Sequence, residues 1–319
     1  VNALLGVFAS AVLPVVAIAA AGFLLGRARN VEPGPLNTVT VYVLAPALVF
    51  HSLATSTLAA GTLARVAVGV VAFTLAMAAV AEGVGRLSGT EEPLLSALLL
   101  VAVFSNSGNL GIPVSNFAFG ETGRSTAVLF LSVQAVLMYT VGVYVASRSG
   151  GASGLDGVKR VVRLPLVYAV AGALLARAAG VVPPAEAASM EAVGLVGDSA
   201  IPVMLIVLGL QLARTDYAAA VSKAGTGAAL KLLVAPAVGL AVAHLVGFSD
   251  PTVARVFVLE TAMPAAITPV ILVAEFAGNR DLDGITVPEY VSTVVLVTTL
   301  LSIPLLTVLI VALQAGVLI

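Results

Sequence analysis

No cysteine and no tryptophan occur among the 319 residues, histidine appears twice, and charged side chains make up only 10% of the chain. The absence of cysteine excludes a disulfide framework, a thiol nucleophile and a cysteine-ligated metal centre. No His-Glu-x-x-His motif, intramembrane Gly-x-Gly-Asp or aspartate-rich diphosphate motif is present, which argues against a membrane enzyme. No basic tract points to nucleic acid, and the net charge of −1 gives no direction. What remains is apolar: 60% of residues are hydrophobic and the mean hydropathy is +1.13. Soluble domains carry about 25% charged residues, so the composition implies an all-α integral membrane protein.

A span needs about 20 apolar residues. The polar punctuation predicts ten, near 4–27, 35–54, 62–86, 93–119, 123–147, 164–181, 191–213, 224–247, 251–278 and 286–315. The first run, from Leu4, has no basic n-region and is too long for a signal-peptide core, so it reads as a span. The longest hydrophilic connection, "SRSGGASGLDGVKRVVR", separates a first half (1–147) from a second (164–319) across a linker at 148–163. With the N-terminus outside, the inner loops hold Arg27, Arg29, Arg86, Arg148, Lys159, Arg160, Arg163, Arg214, Lys223 and Arg280; the outer side holds Arg65, Arg124, Arg177 and Arg255. The positive-inside rule then predicts both termini outside and the linker in the cytoplasm.

An odd number of spans per half means that any duplication is inverted in the membrane. The halves echo each other: "GIPV" at 111–114 answers "ITPV" at 267–270, and Pro46 answers Pro202. Paired interruptions at matching positions are a pointer to a transporter's central site. In "SNSGNLGIPV" (105–114), Pro113 suits the first turn of a second half-helix, as does Pro269 in the other half. Backbone freed by such a break must be buried in protein or line a wet cavity. A half-helix N-terminus is a seat for an anion, and a half-helix ending near Ser105 offers carbonyls to a cation. Ser107, Asn106 and Asn109 add polar groups, while Gly108 and Gly111 let a ligand reach the backbone. Against this stands a kink whose backbone is satisfied by neighbouring helices.

Glu260, in "FVLETAMPAAITPV", is a carboxylate inside a span just before the second break, and is a functional candidate by default. Its bland alternative is a structural hydrogen bond as a neutral acid. Gln134 either reaches the break or bonds another helix. Lys231 either pairs with Glu260 or Asp198 or snorkels to the interface, the simpler reading. His51, Asp198 and His244 read as packing or interfacial residues, and Glu82 as an ion pair with Arg86 one turn on.

Taken in order, these stretches resemble the auxin efflux carrier family, the plant PIN carriers and bacterial permeases for malonate, malate and similar acids, within the bile/arsenite/riboflavin transporter superfamily. The resemblance rests on "VYVLAPALVFHSLA" with Phe50 and His51, "NSGNLGIP" with Asn106 seven residues before Pro113, Gln134 with Tyr139-Thr140, and Gly197-Asp198 with "LGLQLA". "LKLLVAPAVGL" and "ETAMPAAITPV" continue it, with Pro264 and Pro269 at the family spacing. It implies ten spans as two inverted five-span repeats, with broken spans 4 and 9 crossing at the substrate site. It also implies a dimerising scaffold of spans 1, 2, 6 and 7, a mobile domain of spans 3–5 and 8–10, and an elevator mechanism for small organic anions. On that resemblance, Asn106, Ser107, Gly108, Asn109, Gly111, Pro113, Pro264, Ala265, Thr268 and Pro269 surround the substrate, and Gln134 supports the crossover.

There are departures. The linker is far shorter than the regulated loop of long PIN carriers, and an acidic residue those carriers hold at the start of span 3 is missing. Glu260 stands where they hold glutamine. Its Glu-x-x-Met spacing, with Ser115-Asn116, is similar to the sodium/bile-acid symporters, although Pro264 replaces a glutamine of theirs. Glu260, Ser115, Asn116 and Ser105 are therefore the candidates for a coupling sodium ion or proton, and no other cofactor is implied. Sodium-driven uptake of a larger amphipathic anion is the alternative function, and a membrane ligand sensor a remoter one. The expected setting is a bacterial or archaeal plasma membrane.

Overall fold

The computed structural model describes residues 2–148, 163–213, 224–276 and 286–319, and among them every regular element is a helix. Seven stretches are long and apolar enough to cross a membrane: Leu4–Arg29, Pro33–Ala54, Ala60–Leu87, Ser107–Ser147, Ala188–Ala213, Gly225–Val246 and Val287–Gln314. Two shorter apolar helices are Leu94–Val103 and Pro165–Ala179. In chain order the helices are α1 (2–29), α2 (Pro33–Ala54), α3 (Ala60–Leu87), α4 (Leu94–Val103), α5 (107–119) and α6 (121–147), then α7 (Pro165–Ala179), α8 (Ala188–Ala213), α9 (Gly225–Val246), α10 (Pro251–Thr261), α11 (Thr268–Phe276) and α12 (Val287–Gln314). Gly120, at φ 64°, separates α5 from α6 by a backbone that side-chained residues rarely adopt. The linker expected at 148–163 lies outside the described residues except for its two ends.

Proline shapes these helices in a regular way. A proline within a helix lacks its N–H and its ring crowds the carbonyl four residues back. At Phe8–Val12, Thr40–Leu44, Ser107–Gly111 and Leu230–Val234 the chain widens into a π turn that ends two residues before Pro14, Pro46, Pro113 or Pro236. The longer hydrogen-bonded turn relieves the clash without breaking the helix.

The helix contacts are densest within two sets, with further contacts between them: α2 lies on the α5–α6 pair, α8 on α5 and α1 on α12. In one set, α1 lies against α8 and α2 against α7 and α8. The α1–α8 contact is backbone-close: a Cβ on Gly209 would overlap the Ala19 carbonyl, and one on Gly22 would overlap that of Ile206. Arg177 of α7 donates to the carbonyls of Leu53 and Leu58 at the end of α2, at 3.0 and 2.8 Å. In the other group, α3 packs on α4 and α9, α10 on α9 and the α5–α6 pair, and α11 on α12. Arg124 of α6 ties the groups together, pairing with Asp198 of α8 at 2.6 Å and donating to Ser52 of α2 at 3.1 Å.

A crossing of two broken helices as the candidate functional site

Chain breaks follow α4 and α10, and they meet. Phe104 is extended (φ −92°, ψ 117°), and Ser105 pairs with Ala265 in an antiparallel bridge. The Asn106 amide donates to the Pro264 carbonyl at 2.8 Å, and the Ala266 amide to the Phe104 carbonyl at 2.9 Å. Backbone released from a helix in a dry interior must find partners in protein, and here each break supplies them to the other. Side chains close both edges. Gln134 of α6 receives the Ser105 amide on Oε1 at 3.0 Å and donates from Nε2 to the Ser105 carbonyl at 2.8 Å. Thr298 of α12 accepts the Ala265 amide at 3.1 Å. Sequence reasoning missed Thr298; its only signal is a threonine pair, Thr298-Thr299, inside an apolar helix.

The restart of the first broken helix differs from expectation. Helical turns resume at Ser107, so Pro113 lies inside α5 rather than at its start. The π turn accommodates the proline, and the Gly111 amide reaches back to the Asn106 carbonyl at 2.9 Å. The first-turn amides that lack intrahelical acceptors thus belong to the residues following Asn106. In the second break Pro269 does sit in the first turn, since α11 starts at Thr268.

An acidic and a basic side chain flank the crossing. Glu260, fully buried, accepts from the Ser115 hydroxyl at 2.8 Å on Oε1, while Oε2 has no partner. Gly111 makes room for it, because a Cβ there would overlap Oε2 and stand 2.7 Å from Oε1. Asn116, half-buried, makes no hydrogen bond to this carboxyl group. Lys231 neither pairs with Asp198 or Glu260 nor snorkels. It is fully buried and donates to the Ser105 hydroxyl at 2.7 Å. The cause is the early end of α4, whose last carbonyls and adjacent Ser105 offer an ammonium its acceptors.

A cavity of about 250 Å³ opens on the crossing, between it and helices α2, α7 and α8. Asn106, Ser107, Gly108, Asn109, Gln134 and Thr268 line it together with Ser105. Gly111, Pro113, Pro264, Ala265 and Pro269 are not among the residues that line it. Among the described residues no charged side chain borders the cavity; Asn37, Thr40, Tyr139 and Gln211 supply its remaining polar groups. The Asn106 Nδ2 group is buried and unpartnered, which in a dry interior costs about 1–3 kcal/mol. Such a donor is suited to an acceptor brought by a ligand.

A larger groove, about 650 Å³, lies at the far end of α4 and α6. About 15 Å of helix separates it from the crossing. Three of its charged residues are ion-paired: Arg148 with Glu82 at 2.8 Å and Glu92 at 3.5 Å, and Arg86 with Glu82 at 2.6 Å. The expected Glu82–Arg86 pair is therefore present, and Arg148 joins it. Among the described residues no cluster of histidine and carboxylate side chains could hold a metal ion.

Comparison with known proteins places the chain among membrane transport proteins. The family described as "Membrane transport protein" matches residues 7–155 and 158–310. An "Uncharacterized transporter" of Methanothermobacter thermautotrophicus is 27% identical over 299 residues, covering 92% of this chain and 95% of that one. A second uncharacterized transporter, from Methanocaldococcus jannaschii, is 22% identical over 74% of this chain and 78% of its own. A protein of Rhizobium meliloti named "Putative malonate transporter" is 24% identical over 96% of this chain and 95% of its own.

Proposed function

This chain belongs to the membrane transport protein family, and we propose that it is a secondary transporter of small organic anions, with a substrate carboxylate held at the crossing of the two broken helices. The observation that carries the reading is the buried, unpartnered Asn106 amide on the wall of a cavity whose described lining is uncharged, beside the start of α5. Amide donors and a helix N-terminus suit a carboxylate, and the apolar part of the lining suits a short hydrocarbon body. The name of the Rhizobium relative is consistent with an acid of this class.

In this proposal α4–α5 and α10–α11 each count as one span. That gives ten spans in two inverted repeats, with both termini outside and the linker in the cytoplasm. The group containing α1, α2, α7 and α8 is a scaffold that dimerises, and the other group is the mobile body of an elevator. The cavity's position between the groups supports that division. A sodium-driven symporter of a larger amphipathic anion is the second reading. One observation favours it: the Ser115 hydroxyl and Glu260 carboxylate are already together.

Counterflow into proteoliposomes, with a panel of mono- and dicarboxylates, tests the proposal. At least one acid exchanges in the wild type, and Asn106→Ala abolishes or strongly weakens that exchange. No exchange with any acid, or an unchanged Asn106→Ala protein, refutes it.

A further inference from the structure

Lys231 is a cation carried to the middle of the protein, and the family assignment gives it no task. It sits in the π turn Leu230–Val234 of α9, which Pro236 follows. Its side chain runs past the Phe73 ring, with Nζ 6.0 Å from the centroid, to the end of α4. There the ammonium donates to the Ser105 hydroxyl at 2.7 Å and approaches the Ala102 carbonyl at 3.5 Å. Helix carbonyls at a mid-membrane break, joined by a serine hydroxyl, are the oxygen set that a monovalent cation uses at such a helix end. The C-terminus of α4 adds the negative pole of its dipole. The carboxylate that balances the charge is Glu260 of α10, buried in the same body without a direct ion pair to Lys231.

We propose that the Lys231 ammonium is a tethered cation, filling at the C-terminal end of α4 a seat that would otherwise hold a free monovalent ion. The cation at the end of α4 then stays in place throughout a transport cycle, and this seat takes no sodium. Removing the side chain back to Cβ leaves the Ser105 hydroxyl and the Ala102 carbonyl facing a polar gap open to a small cation. The consequence for flux rests on the crossing being the transport site; the occupancy of the seat does not.

The test is thermal unfolding of purified wild type, Lys231→Ala and Lys231→Met in sodium, lithium, potassium and choline chloride at equal ionic strength. Wild type unfolds at the same temperature in all four salts. Lys231→Ala unfolds earlier in choline, and sodium or lithium raises its midpoint by several degrees in a saturable manner. Lys231→Met, which fills the gap without charge, shows no such response. Saturable stabilisation of the wild type by sodium that a Ser115→Ala substitution leaves in place overturns the proposal. So does a Lys231→Ala protein that answers to no cation, either in its midpoint or in the yield of folded protein recovered from membranes. A carboxylate-flux assay on the same proteins keeps the two claims apart: absence of all flux refutes the transport reading and leaves the unfolding result to decide the seat.

Discussion

Gln134→Leu removes the side chain that holds Ser105 at the crossing, while keeping nearly the same volume. The wild-type amide makes two buried bonds to one residue, at 3.0 and 2.8 Å, so its loss strands the Ser105 amide, while the Ser105 carbonyl keeps the Ser107 amide at 2.8 Å. An unsatisfied buried backbone group costs about 1–3 kcal/mol, which is the cost for the stranded amide. Side-chain hydrogen bonds measured inside membranes average ~0.6 and reach ~1.7 kcal/mol, which gives about 1.2–3.4 kcal/mol for two. The ranges overlap at about 1.2–3 kcal/mol, equivalent to a ~8- to 150-fold loss in affinity if the cost falls on the bound state. Thermal unfolding and the concentration dependence of carboxylate counterflow measure the two places where that energy appears. Gln134→Glu adds a control whose sign is set by chemistry. Its ionised form can accept from the Ser105 amide but cannot donate to the carbonyl, whereas its protonated form does both. Function of this variant therefore improves as pH falls, relative to wild type. A Gln134→Leu protein with unchanged midpoint and affinity would refute the argument that this side chain sets the geometry of the crossing.

Gly111→Ala pushes a methyl group into the Glu260 carboxyl group and forces it from the Ser115 hydroxyl. Overpacking of this kind costs about 1–3 kcal/mol, and Glu260→Asp in the same chain recovers part of the loss in a double-mutant unfolding cycle. Asp198→Asn loosens the tie between α6 and α8. Because the Asp198 side chain is 60% exposed, stability changes by under about 1 kcal/mol. Turnover in counterflow rises if α6 travels past α8, and an unchanged turnover counts against that motion.

The breaks were legible because serine, asparagine, glycine and proline stand where an apolar helix has no use for them, and backbone accounting in a dry interior demands partners. The meeting of Ser105 with Ala265 follows from the same accounting, since each break exposes the groups the other lacks. The restart point was misread at Pro113 because a proline signals a helix start or an internal π turn equally well, and only the path of the chain distinguishes them. Lys231 was misread for a related reason. Its distance along the span suggested a route to the interface, whereas the acceptor that captures it, Ser105, lies 126 residues away. Arg124 was counted only as a loop charge, yet it links Ser52 and Asp198 from two other helices. Edge-closing residues such as Thr298 leave almost no local trace, because a threonine that bonds its own helix looks the same in sequence. Thr298 does both.

The lack of native cysteine makes the central claim open to a clean chemical test. Asn109→Cys introduces the single thiol of the chain on the cavity wall, and its rate of modification by a membrane-impermeant thiosulfonate can be followed in proteoliposomes. The account predicts that the thiol reacts from water and that a transported carboxylate slows the reaction in a saturable way. A thiol that never reacts, or one that no transported acid protects, contradicts it.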